Sequence, residues 1–318
     1  MKSFMPSLGS SGWTVIDAAQ NHSVAAVSVR PGNRSRGLPL VSRYLCKQVA
    51  ENVGTSANYH AELDSSLPAA LTLARADYRL RVMPAPPMPD KEMEEALRWS
   101  ALTGSDIPMD DADLAWLEIP GQDLLSERPR LLYVVMAQRS LVDARVAAVS
   151  KAGITPKVVD IRETGLRNLA LKLAQGDEGI ALISVDDSGV SMVFTDQGAI
   201  FLDRYIEQPL SEWHMADETA RRRMLERIAV QVMRSVDYLS RNFAFTAKMR
   251  VVVGPTPEPM GLGDYLAEQL PLPVSVLDLG ALFDLSRVPG LRDSAANQAR
   301  CLVALGAALR SSWGRVAA

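Results

Sequence analysis

Residues 15–27 read VIDAAQNHSVAAV. Two β-forming runs flank a short polar turn, and Asp17 closes the first run. This is the outline of a hairpin that wraps phosphate groups with the backbone N–H groups of its turn. An approach that close usually requires glycine, because a Cβ blocks it and a positive φ is costly for other residues. The turn here holds no glycine. The reading of this hairpin decides the fold, and with it whether the chain holds a nucleotide.

Working outward, a chain of 318 residues is long enough for two domains with proper cores. Its net charge of −3 offers no basic field for nucleic acid. The longest apolar runs fall short of the roughly 18–20 residues that span a bilayer. The N-terminus lacks the apolar stretch of a signal peptide. Cys46 and Cys301 are far apart in sequence and lack partner spacing, which suits a reducing compartment. A soluble, cytoplasmic protein is expected.

The hairpin 13–30 continues into a third strand near 40–46. A β-α-β-β-α module is then expected over 77–152. It has a strand YRLRVM, a helix from Asp90 (as N-cap) to Thr103, strands LAWLEI and LLYVVMA, and a helix 140–152 closed by Gly153. Met93, Leu97 and Ala101 mark the buried face of its first helix. After a helix at 163–174, IALISVDDSGVSMVFTDQGAIFLDRYIE repeats the strand-turn-strand plan of the opening. Two related lobes follow from that recurrence. The longest helix is 217–243, capped by Asp217, and the last is the alanine-rich ANQARCLVALGAALR.

The chemistry on offer is sparse. His22, His60 and His214 are scattered and the cysteines do not join them at ligand spacing, so no metal site is expected. No G-x-S-x-G elbow, Walker loop or G-x-G-x-x-G is present. The cluster Arg221, Arg222, Arg223, Arg227 and Arg234 reads as a solvated helix face, with Glu218 and Glu226 interleaved.

The segments EMEEALRWSA, IPMDDADLAWLEIP, YVVMAQRSLVDARVAAVSKAGITPKVVDIRETGLRNLAL, QVMRSVDYLSRNF and VVVGPTPEPMGLGDYLAEQLPLPVSVLDL, with the ending LVALGAALR, carry a resemblance. In this order, from about 67 to 310, they resemble the PilM/MshI family of type IV pilus assembly, and most of all its MshI branch of the mannose-sensitive haemagglutinin (MSHA) pilus. The first 60 residues match only in outline. The resemblance implies an α/β, actin-like (ribonuclease H-like) two-lobed fold with the β-α-β-β-α module inserted. The first lobe is 1–76, completed by 153–178 and the C-terminal helix 295–310; the module is 77–152; the second lobe is 179–294. It implies a scaffold on the inner face of the cytoplasmic membrane, peripheral and held by its partner: the cytoplasmic tail of a PilN-like bitopic membrane protein.

Family members carry D-x-G-S-S-S at the first hairpin, where this chain has Asp17 followed by Ala18, Ala19, Gln20, Asn21 and His22. At the second hairpin the D-x-G falls on Ser184, Val185 and Asp186. The acidic residue expected after the strand at 156–160 is Arg162, with Glu163 next. A double glycine is half retained as Gly254-Pro255. Losing the backbone approach costs several charge-assisted bonds at about 1.5–3 kcal/mol each, enough to move a micromolar site to millimolar. The expectation is therefore a vestigial nucleotide site at Asp17, Asp186 and Gly254, without catalytic residues, and a protein that works by binding. The alternative is a functional ATP-binding, slowly hydrolysing member using those residues around Mg-nucleotide. A sugar-kinase-type phosphotransferase would want glycine-rich phosphate turns that the chain lacks. In the family the partner's tail lies in a cleft between the first lobe and the module. Arg98 and Trp99 are the candidate anchors there, against the reading that Trp99 packs inside the module.

Overall fold

Strands β1 (Trp13–Asp17), β2 (Ser23–Arg30) and β3 (Leu40–Gln48) form an antiparallel meander. A computed structural model describes residues 12–17, 23–32, 37–48, 59–87, 89–120, 130–243 and 248–310. The turn 18–22, with Ala19 and His22, lies outside the described residues. The chain then forms α1 (Tyr59–Glu62), inside a stretch whose polar composition predicts no element, and β4 (Ala69–Thr72). Next come β5 (Tyr78–Pro84), α2 (Asp90–Leu102), β6 (Ala112–Glu118), β7 (Leu131–Gln138), α3 (Arg139–Lys151), β8 (Pro156–Asp160) and α4 (Arg162–Leu173). The second half holds β9 (Gly179–Val185), β10 (Gly189–Asp196), β11 (Ala199–Glu207), α5 (Leu210–Met215) and α6 (Glu218–Asn242). It ends with β12 (Met249–Val253), α7 (Leu262–Gln269), β13 (Val274–Val276), α8 (Pro289–Arg292) and α9 (Ala295–Ala308).

The two large sheets have one topology. The first runs β3-β2-β1-β4-β8 and the second β11-β10-β9-β12-β13. In each, the first three strands are antiparallel and the last two add in parallel. Parallel neighbours need a crossover helix, which is what α3, α6 and α7 supply. Strand β9 is buried along its whole length, as a central strand covered on both faces must be.

The helices after the fifth strands trade places. Helix α4 leaves the first sheet at β8 but lies on β9 and β10, while α9 leaves the second half and lies on β1 and β2. Their crossing depends on two glycines. A Cβ on Gly306 would stand 2.1 Å from the Gly165 carbonyl oxygen, and one on Gly165 would stand 2.8 Å from that of Val303. No other residue permits backbones this close.

The third sheet, β5-β7-β6, carries α2 on one face, where Met93, Leu97 and Ala101 bury against Leu132, Val134 and Met136. The expected N-cap, Asp90, is the first helical residue; Pro89 takes the cap position without a side-chain bond. Helix α3 places Val146 and Val149 against Ile16, Val24, Ala26 and Leu45 of the first sheet. It therefore packs as the crossover helix of the first lobe, although its sequence continues the module. Asp217 caps α6 through the Ala220 amide at 2.7 Å, and Gly153 ends α3 with φ of 93°.

Candidate functional site

Asp17 ends β1, between Ala25 of β2 and Thr72 of β4, so its carboxylate stands at the carboxyl end of the first sheet. Asp186 follows β9, the corresponding strand of the second sheet. Between them comes Arg162, the first residue of α4. Its Nη1 donates to Asp17 Oδ1 at 3.3 Å and Oδ2 at 3.1 Å, and its Nη2 donates to Asp186 Oδ2 at 2.5 Å. One guanidinium thus ties together the equivalent strands of the two lobes.

This is a buried arrangement. Asp17 is 1% exposed and Arg162 6%. Burial raises the Asp17 carboxyl from 3.8 to about 6; the Arg162 charge holds it down and the Asp186 charge adds to the rise. Burial works against the Arg162 charge, yet Asp17 and Asp186 more than offset it and hold the guanidinium above its ordinary range.

Asp186 is doubly committed. While Oδ2 meets Arg162, Oδ1 accepts from the Ser188 amide at 2.8 Å, the Ser188 hydroxyl at 2.6 Å and the Gly189 amide at 3.0 Å. These are the N–H groups of the second hairpin turn, the ones a phosphate would need. Gly254 directly follows β12, the strand that lies beside β9, and its amide donates to the Ile183 carbonyl at 2.8 Å. A Cβ there would stand 2.8 Å from Leu302 Cδ2 and 3.1 Å from the Ile183 oxygen, so packing against α9 already requires the glycine. Hydrated magnesium wants uncommitted carboxylates and phosphate wants uncommitted amides; Asp17, Asp186 and the Ser188 and Gly189 amides are committed to one another and to Arg162.

The network continues through Glu163. It accepts from the Tyr78 hydroxyl at 2.6 Å and faces Arg75 at 3.4 Å. Arg75 also reaches Asp203 at 3.5 Å and lies over the Tyr78 and Tyr205 rings, 5.3 and 5.9 Å from their centroids. Tyr205 donates to the Ser188 carbonyl at 2.9 Å, and Tyr133 accepts from the Asp203 amide at 2.9 Å. Burial, then the Glu163 charge, pushes the Asp203 carboxyl well up, and its Oδ1 has no partner. Sequence reasoning found Arg162 only as a departure, with Glu163 as its acidic neighbour, and did not find Arg75, Tyr78 and Asp203. A hollow of about 530 Å³ lined by His60, Pro68 and Lys157 lies at the other ends of β4 and β8.

The structure separates the two partner candidates from the crevice. Arg98 donates to the Ala112 carbonyl at 2.7 Å and to Glu94 at 3.3 Å, clamping α2 to β6. Trp99 is 60% exposed, so it is not a core residue of the module. Helix α2 covers the sheet face turned away from the lobes. On the facing side, strand alternation places Tyr78, Leu80 and Val82 of β5 beside Tyr133 and Val135 of β7. Tyr78 and Tyr133 bury against the lobes, whereas Val82 is 45% exposed. That face is largely apolar, and Val82 on its edge strand β5 is exposed beside the buried Tyr133.

His214 pairs with Glu258, and among the described residues no group of three His, Cys, Asp or Glu side chains could hold a metal ion. In the α6 cluster, Arg221 stacks on Trp213 at 5.4 Å, and its neighbours Arg222, Arg223, Arg227 and Arg234 are exposed. Among the described residues no helix is long and apolar enough to cross a membrane.

No family model matches the chain, and no curated protein matches its sequence. Solved structures do. The chain is similar to the PilM-PilN type IV pilus biogenesis complex, with a TM-score of 0.67 and 17% identity over 94% of this chain and 98% of that one. It is also similar to a Bacteroides thetaiotaomicron protein of actin-like ATPase fold and unknown function, with a TM-score of 0.51 and 9% identity over 91% and 99% of the two chains. The fold is therefore actin-like, as the sequence resemblance implied.

Proposed function

We propose that this chain is an actin-like scaffold of type IV pilus assembly, of the MshI kind, that holds no nucleotide and acts by docking the cytoplasmic tail of a PilN-like membrane protein. The observation that carries the reading is Arg162. A guanidinium stands between Asp17 and Asp186, where an ATP-binding member would place its metal and phosphates. A cation built into the chain, with the Ser188 and Gly189 amides already engaged by Asp186, supports a protein that does not hold Mg-ATP. The partner reading is supported by the likeness to a PilM-PilN complex and by the open apolar face around Val82. A short tail with apolar residues fits such a face, and attachment through it would keep the chain peripheral to the membrane.

The test is a pair of calorimetric titrations. Millimolar Mg-ATP should give no binding heat and move the melting temperature by less than about a degree, since stabilisation follows RT ln(1 + [L]/Kd). A synthetic peptide of the cytoplasmic tail of a PilN-like protein should bind saturably. A shift of several degrees with Mg-ATP, abolished in Asp17→Ala, would transfer the protein to the ATP-binding reading. Absence of peptide binding would remove the docking role.

A further inference from the structure

Cys46 and Cys301 stand 255 positions apart in the chain, yet their sulfurs lie 3.3 Å from each other. Cys46 is on β3, the outermost strand of the first sheet, and is half-buried; Cys301 is fully buried in α9. Both are free thiols, and the chain has no other cysteine. We infer that they form a dithiol site that closes reversibly to a disulfide by exchange with a low-molecular-weight disulfide, stapling α9 to β3. This inference is independent of the nucleotide and docking readings.

The two thiols are not equivalent. The hydrogen bond between the two sulfurs, with the nearby Arg300 charge, lowers the Cys46 thiol below its usual range against the effect of burial. The same bond, together with burial, pushes Cys301 well up. Cys46, on the accessible side, is therefore the attacking thiolate. It forms a bond to one sulfur of the small disulfide, the S–S bond of that reagent breaks, and the first thiolate leaves and takes a proton. The sulfur of Cys301, giving its proton to water, then attacks Cys46 Sγ and expels the second thiolate. Two protein thiols are oxidised by two electrons and the reagent is reduced to two thiols.

The staple would act on more than the local contact. Helix α9 also meets α4 through Gly306 and Gly165, and α4 begins at Arg162. A covalent tie between β3 and α9 holds the helix that joins the lobes to the edge of the first sheet. It also constrains the unfolded chain through a very long loop.

The experiment uses the folded full-length chain with oxidised glutathione, followed by intact mass, thiol titration and urea unfolding. The expected product has lost two hydrogens, carries no adduct, titrates for no free thiol, unfolds at higher urea, and reverts with dithiothreitol. Cys301→Ser should stop with one glutathione on Cys46, and Cys46→Ser should leave Cys301 unmodified while folded. A wild-type protein that accumulates adducts without closing would overturn the inference. So would closure that occurs only in denaturant, or an unchanged urea midpoint.

Discussion

Replacing Arg162 by methionine keeps an unbranched, apolar stem and removes the guanidinium that joins the lobes. Two effects set the size of the loss. With Arg162 present, Asp17 already stands at about 6. Without it, the carboxyl climbs until at pH 7 it takes up a proton, which caps the added penalty at about 1.4 kcal/mol, the equivalent of one pKa unit. The bond to Asp186, a residue with a side chain 20% exposed, is charge-assisted and of a kind worth about 1.5–3 kcal/mol. The sum is about 3–4 kcal/mol at pH 7, near the lower end of the roughly 3–5 kcal/mol lost when a buried ion pair loses one member. For a chain of this length, at about 2 cal/mol/K of unfolding entropy per residue, that is about 5 °C in Tm.

The pH dependence distinguishes this account from a general packing defect. At pH 5 Asp17 is largely protonated in wild type and variant alike, so only the Asp186 part of the loss remains. Above pH 6 the folded variant holds a proton that folded wild type has released, so the variant loses stability faster as pH rises. Urea unfolding of both proteins at pH 5, 7 and 8 should show the gap widening. Adding Asp17→Asn to Arg162→Met should recover the pH-dependent part. Unfolding free energies that agree within about 0.5 kcal/mol at pH 7 and 8, or a gap that ignores pH, would refute the reasoning.

Gly306→Ala drives a Cβ to 2.1 Å from the Gly165 oxygen, where only backbone can yield, and should cost at least the 1–3 kcal/mol, roughly, of an overpacked core; urea unfolding measures it. Asp17→Asn should flatten the stability profile between about pH 4 and 6. The native pKa of about 6 lies above the unfolded value, so Asp17 favours folding at low pH and withdraws about 3 kcal/mol as pH climbs through that window. Trp99→Ala, at an exposed site, should change stability by less than about 1 kcal/mol and leave tail binding intact, whereas Val82→Asp on the open face should abolish binding; the reverse pattern in calorimetry would put the dock on α2. Arg98→Ala should cost about 1–2 kcal/mol of stability, because Ala112 loses a charge-assisted donor while Arg139 still reaches the same carbonyl at 3.3 Å.

What could be read from the sequence is what local order determines. The continuous apolar run of β9, the heptad-like face of α6 beneath its Asp217 cap, and the glycine ending α3 each report on neighbours a few residues away. Trp99 was legible too: it stands two residues from Leu97, and helix positions two apart do not share a face. The Arg162 bridge across the crevice was not. Arg162 and Asp17 are separated by 145 positions, and nothing in either local pattern announces the other. The cysteines are further apart still, and spacing rules built on nearby pairs do not reach them. Helix α3 follows the module in sequence but packs on the first sheet, because the crossover from β4 to β8 must cover that sheet whatever is inserted before it.

The exchange of α4 and α9 between the lobes gives the crevice its importance on the proposed reading. Each lobe takes a core helix from the other half, the two helices cross closely at Gly165 and Gly306, and the angle between the sheets rests as well on what spans the ends of the hairpins. In an ATP-binding protein of this fold, phosphates and metal would bridge the hairpins and set that angle. Here Arg162 spans the ends of β1 and β9, and Tyr133 ties the third sheet to the Asp203 amide of β11. The bridging contacts come from within the chain, so they are present in every molecule at every nucleotide concentration. On the proposed reading, the face around Val82 is therefore presented in one geometry at all times, as a constitutive scaffold requires. A nucleotide-driven switch would need those same contacts to break and re-form. The lower pH limit of that geometry is set by Asp17: below its native pKa of about 6, one of the two anchors of Arg162 becomes neutral. Tail affinity measured from pH 7 down to pH 5 should then weaken if the Asp17 anchor holds the lobes in their binding geometry. A flat profile would assign that task to Asp186 and the Tyr133 contact alone.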